Sequence, residues 1–122
     1  MDKAQALYTF WASFGLLAYD EQTVPDGAAY PYITYETSTD SLDNALPLTA
    51  SLWYRSPSWA GIEQMAQHIS ETIGRGGVTV PYDGGALWIT RRAPFAQRMS
   101  EPSDDMVRRM YISITAEFLG AD

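Results

Sequence analysis

Few side chains in this 122-residue chain could do bond-making chemistry, and their spacing argues against most of it. His68 is the single histidine and there is no cysteine. His68 falls mid-helix among Met65, Ile69 and Thr72. A lone helical histidine is more often a packed or partly exposed side chain than a catalytic base, and no serine or aspartate can be placed against it without assuming tertiary contacts. Adjacent carboxylates occur at Asp20-Glu21 and Asp104-Asp105. Glycoside hydrolysis needs two carboxyls roughly 5–9 Å apart across a cleft, from separate elements. Neighbours on a polar loop do not provide that. No Asp/Asn-rich loop of the EF-hand kind is present. Gly74-Arg75-Gly76-Gly77 and Gly84-Gly85 lack the Lys-Ser/Thr that a phosphate-binding loop places after its glycines, and read as turns. No catalytic residue, metal ligand or cofactor is therefore expected.

The groups that remain suit recognition. Aromatics make up 13% of the chain, with eight Tyr and four Trp. That is more than one small core usually needs, and interfaces enrich both residue types; an aromatic-rich sheet is the plainer reading. Net charge is −7 and unevenly spread. Residues 1–50 carry Asp2, Asp20, Glu21, Asp26, Glu36, Asp40 and Asp43 against Lys3 alone. Residues 91–109 carry Arg91, Arg92, Arg98, Arg108 and Arg109 against Glu101, Asp104 and Asp105. The balance lacks the dominant positive field of a general nucleic-acid binder. It suits a molecule whose acidic end meets the basic end of a neighbour. Arg91, Arg92, Phe95, Arg98, Met99, Arg108 and Arg109 lie on or beside an aperiodic stretch at about 92–105. They are the candidate subunit or partner interface, read as a docking arm with arginines and apolar tips. The competing reading is an ordinary surface loop with Phe95 tucked into the core.

These groups must be positioned by a small set of elements. Leu7, Phe10, Trp11 and Phe14 repeat at helical spacing over 2–14, with Asp2 at the N-terminal end and Gly15 as a stop. Residues 16–29 read as a loop containing the Val24-Pro25-Asp26-Gly27 turn. Strands are expected at about 32–40 and 46–55, separated by a polar break at 40–44, as a hairpin. Ser56-Pro57 has the chemistry of a helix start. Trp59, Ile62, Met65 or Ala66, Ile69 and Ile73 then repeat at helical spacing up to Gly74. Val78–Pro81 and Ala86–Arg91 read as a second hairpin. Residues 106–119 give the cleanest alternation, with Met110, Ile112, Ile114, Ala116 and Phe118 on one face, and should be central in the sheet. Together these predict one α+β domain over 1–122: a two-layer sandwich with a mostly antiparallel sheet and two helices packed on one face. No run approaches the roughly 20 apolar residues of a membrane span, and the N-terminus has no signal-peptide pattern. With no disulfides available, the chain must fold by packing alone, as expected in a reducing cytoplasm.

The pattern resembles the tail terminator (tail completion) proteins of long-tailed, siphovirus-type bacteriophages. The resemblance runs nearly the length of the chain. It rests on the opening helix with Leu7, Phe10 and Trp11, the Pro31-Tyr32-Ile33-Thr34-Tyr35-Glu36 strand, Leu52-Trp53-Tyr54-Arg55-Ser56 and the helix after it. Pro81-Tyr82-Asp83-Gly84-Gly85-Ala86-Leu87-Trp88-Ile89 and Asp105-Met106-Val107-Arg108-Arg109 leading into Tyr111-Ile112-Ser113-Ile114 complete it. These motifs are structural, since the family has no catalytic signature. The resemblance implies a non-enzymatic subunit that closes with copies of itself into a six-fold ring. Such a ring caps the tail tube protein, ends its polymerisation and offers a surface to a head completion or neck protein. DNA would pass through the lumen without specific binding. The protein would reside in the virion tail and neck, and in the host cytoplasm during assembly. A head-closure or minor capsid protein is the neighbouring alternative. A small-molecule-binding or enzymatic α+β domain is the alternative of a different class.

Overall fold

The computed structural model describes residues 1–39 and 44–120. Helix α1 spans Lys3–Ala12. Asp2 caps it reciprocally: Gln5 N donates to the Asp2 carboxylate, and Asp2 N donates to Gln5 Oε1, both at 2.8 Å. Two of the otherwise unpaired N-terminal N–H groups are thereby satisfied. Leu7, Phe10 and Trp11 are buried on the predicted face, and Phe14 joins them just beyond the helix end.

Six strands follow the sheet order β1-β2-β3-β6-β5-β4. They are β1 Leu17–Asp20, β2 Tyr32–Tyr35, β3 Ala45–Arg55, β4 Val78–Tyr82, β5 Gly85–Met99 and β6 Val107–Gly120. Helix α2, Ala60–Ile73, lies between β3 and β4 in the chain. β6 is central, paired with β3 along its length on one side and with β5 on the other. Its inward residues Met110, Ile112, Ile114, Ala116 and Phe118 are buried, as the alternation predicts. Both helices contribute to one core cluster with these residues, Leu48, Ala50 and Leu52 of β3, and Leu87 and Ile89 of β5.

The structure corrects several expectations. The stretch 16–29 is not all loop, because β1 forms within it and pairs parallel to β2. The sheet is therefore mixed, although the other four pairings among the described residues are antiparallel. A parallel neighbour needs a crossover rather than a tight turn, and residues 21–31 supply it. β2 is shorter than predicted, and the polar break at 40–44 lies outside the described residues except for Asn44. Helix α2 starts three residues after Pro57. Ser56 Oγ accepts from Ser58 N and Ser58 Oγ accepts from Ala60 N, so two serine turns precede the helix. The loop expected at about 92–105 is strand as far as Met99. β5 loses register with β6 between Arg91 and Ala96, and this bulge holds a cis Ala93–Pro94 bond. One proline and a broken alternation removed the period-2 signal, while the ladder resumes beyond it.

The sheet is not flat. Helix α1 contacts both β1 and β4, which are opposite edges of the sheet. The sheet must curl to bring both edges to one helix, and Trp11 of that helix is 1% exposed. No helix is long and apolar enough to cross a membrane among the described residues.

Candidate assembly interface

The seven residues singled out in the sequence do not form one arm. The structure divides them among three neighbourhoods. Arg98, Met99 and Arg108 border an open depression of about 450 Å³ beside Trp59. Arg98 stacks over the Trp59 ring at 4.7 Å and Arg108 lies 5.4 Å from its centroid. Arg98 Nε also donates to Glu63 Oε1 at 2.8 Å. Arg108 donates to two backbone carbonyls, those of Asp105 (2.7 Å) and Pro57 (3.1 Å). Its Nε is buried with no hydrogen-bond partner. These arginines are occupied within the chain. They clamp β5, β6 and the 100–106 loop onto the start of α2.

Arg91, Arg92 and Phe95 border a second open depression, of about 360 Å³, with Ser70, Arg75, Thr90 and Ala93. Arg91 Nη1 donates to Ser70 Oγ at 3.0 Å. Phe95 is half-buried and packs against the core, the plainer of its two sequence readings. Arg92 is exposed.

Arg109 belongs to the opposite face of the sheet. It lies over Trp53 at 4.6 Å and Tyr111 at 5.2 Å. Its Nε donates to Ser51 Oγ at 3.1 Å and its Nη1 to Glu101 Oε1 at 3.2 Å. Tyr32 stacks on Trp53 with centroids 6.1 Å apart and planes at 15°. Tyr19 and Tyr30 pack against Tyr32 at 5.9 and 5.3 Å. Trp53 Nε1 donates to Thr34 Oγ1 at 2.9 Å. A row of aromatic rings thus crosses β1, β2, β3 and β6. It ends at the exposed Leu17 on one side and the exposed Met99 on the other. Burial, and then Tyr30 beside it, hold the Tyr32 hydroxyl above its ordinary pKa. Sequence reading did not assemble this row. The usable signal is that Tyr32, Trp53 and Tyr111 all fall on the outward phase of their strands.

The loop 100–106 is pinned between these surfaces. The Asp104 carboxylate accepts from Met106 N at 2.9 Å and pairs with Arg55. These partners, the Met106 N–H first, hold its pKa below the ordinary carboxylate value. The His68 and Phe14 rings pack in a T-shape, with centroids 5.7 Å apart. No group of three His, Cys, Asp or Glu residues that could hold a metal occurs among the described residues.

Fold and surface together define a small α+β protein. It has a curled mixed sheet, two shallow arginine-lined depressions and an aromatic row on the outward face. A chain in the solved structure of the virion of a native gene transfer agent particle is similar to it. The two share 20% sequence identity at a TM-score of 0.59, over 95% of this chain and 90% of that one. They have the same fold. No protein-family model matches the chain, and no curated protein matches it in sequence.

Proposed function

We propose that this chain is a virion structural subunit, and specifically a tail terminator. Copies of it close into a six-fold ring on the end of the tail tube, stop its growth and dock a head completion or neck protein. The observation that carries the reading is the end-to-end fold match to a chain of a gene transfer agent virion, with almost nothing left over on either side. The surfaces agree with it. Both helices contribute to the core cluster, and the aromatic row on the outward phase of the curled sheet is offered to a partner. Tyr, Trp and Arg are the residues that anchor protein–protein contacts. A net charge of −7 suits a lumen through which DNA passes without sticking. The subunit acts stoichiometrically, in the virion and during its assembly in the host cytoplasm, and makes or breaks no covalent bond.

A tube end keeps adding subunits until a differently shaped ring occupies it. A phage lacking this protein should therefore give intact heads beside unjoined tails of uncontrolled length in electron micrographs. Tails of normal length beside open heads would instead assign it to head closure. Restoration by trace amounts of protein would show a catalyst.

A further inference from the structure

The distribution of charge within the subunit points to one particular contact. The chain has eight basic residues. Arg55, Arg98 and Arg109 are paired with Asp104, Glu63 and Glu101. Arg108 is bonded to backbone carbonyls, and Lys3 lies over the Phe118 ring. Arg75, Arg91 and Arg92 remain, and all three line the depression beside Ser70, which has no acidic side chain in its wall. Their one hydrogen bond among the described residues goes to a neutral hydroxyl. Three guanidinium groups gathered without a counter-charge favour an anionic visitor.

The strand ladder shows where matching anions lie. Asp20, Tyr35, Ala50, Ile112 and Ala96 stand at one height across β1, β2, β3, β6 and β5. One step further along, Glu21 N donates to Tyr35 O and Glu36 N to Thr49 O. Thr49 faces Ser113, which lies opposite the β5 bulge, and Ile114 then faces Arg91. The segment beginning at Glu21 therefore leaves one margin of the sheet at the height of Arg91 and Arg92 on the other side. At that height β4 has already ended, because its last partner is Ile89, so β5 is itself the margin. The exposed Glu21 and Asp26 have no ion pair among the described residues.

We infer that the Arg75/Arg91/Arg92 depression receives the Glu21–Asp26 segment of a second copy of this chain, head to tail. Glu21 stands at the height of Arg91 on the opposite margin, with the exposed Asp26 further along the same segment, so the contact is heterologous, between different patches. Such a contact closes into a ring when the rotation per step allows it. The inference rests on the proposed ring and names the contact that would build it.

The test uses the full-length protein in native mass measurements over a range of concentrations and salt. The variants are Arg75→Glu/Arg92→Glu and Glu21→Lys/Asp26→Lys, both confined to exposed side chains, with melting curves to confirm that they fold like the parent. Each variant alone should raise the concentration of half-assembly on the order of 100-fold. The parent ring should weaken as salt screens the contact over its Debye length of about 8 Å. An equimolar mixture of the two variants should restore rings, because each reversed patch then meets an opposite one. Variants that assemble like the parent at every salt concentration overturn the inference and leave the ring standing. So do folded, dissociated variants whose mixture stays dissociated. A parent that is monomeric throughout overturns the ring reading and this contact with it. If Arg75→Glu/Arg92→Glu keeps the ring but loses retention of duplex DNA shown by the parent, the depression is a phosphate site and the inference is wrong.

Discussion

Arg98 shows how one residue changes meaning once its neighbours are known. By type and position it belongs to a docking arm, yet it stacks on Trp59 and bonds Glu63 within its own chain. An exposed ion pair contributes about 0.2–1 kcal/mol and an exposed cation–π contact about 0.5–1 kcal/mol. Arg98→Ala should therefore lower unfolding stability by about 1 kcal/mol in denaturant melts while leaving self-association at the parent level. A variant with parent stability and impaired assembly would return Arg98 to the interface. The sequence shows which arginines exist, but not which are already neutralised. Arg55 meets Asp104, and Arg109 meets Glu101, only because β3, β6 and the 100–106 loop end at the same side of the sheet. Pairing of that kind depends on tertiary placement and leaves no trace in local spacing.

At the scale of elements, legibility tracked length and periodicity. β6 and α2 each sustain a pattern over many residues, so their buried faces are readable, with Met65 or Ala66 left open in α2 until the structure buries Ala66. β1 spans Leu17–Asp20 and is held by a parallel partner distant in the chain, so nothing local marks it. The second half of β5 was hidden by its bulge. Between β5 and β6 the chain forms a loop fixed largely by Asp104, and this gives a pH dependence. The Asp104 pKa lies below its ordinary 3.8 in the folded protein, because the Met106 N–H and Arg55 favour the charged form. Its contribution is thus fully present above pH 3.8 and is lost as pH falls through the lower folded value. Asp104→Asn should melt below the parent at neutral pH, and the gap should close as the pH falls below 3.8. A gap that stays constant through that range would mean that the loop does not depend on the carboxylate charge.

For the whole molecule the decisive feature is α1 bridging β1 and β4. An open curled sheet has two margins, and here one helix ties both. Trp11→Ala should cost about 3–5 kcal/mol by cavity formation. Amide exchange should accelerate in β1 and β4 together, although they lie at opposite ends of the strand order. Acceleration at only one margin would show that the helix braces that edge alone. The curl is the part of the architecture that the expected two-layer sandwich does not specify. Alternation reports which face of a strand is buried, whereas curl is set by the twist between strands and by what fills the gap.

The outer aromatic row also bears on the entropy of docking. Trp53 is fixed by Thr34 and by stacking on Tyr32, and Arg109 is held by Ser51 and Glu101. Immobilising a flexible side chain at an interface costs about 0.5–1.5 kcal/mol each time. In this chain that loss of freedom occurs during folding. A protein docking on the row, as proposed, would meet side chains already held in place. Its association should then be limited by diffusion and orientation rather than by rearrangement of the platform.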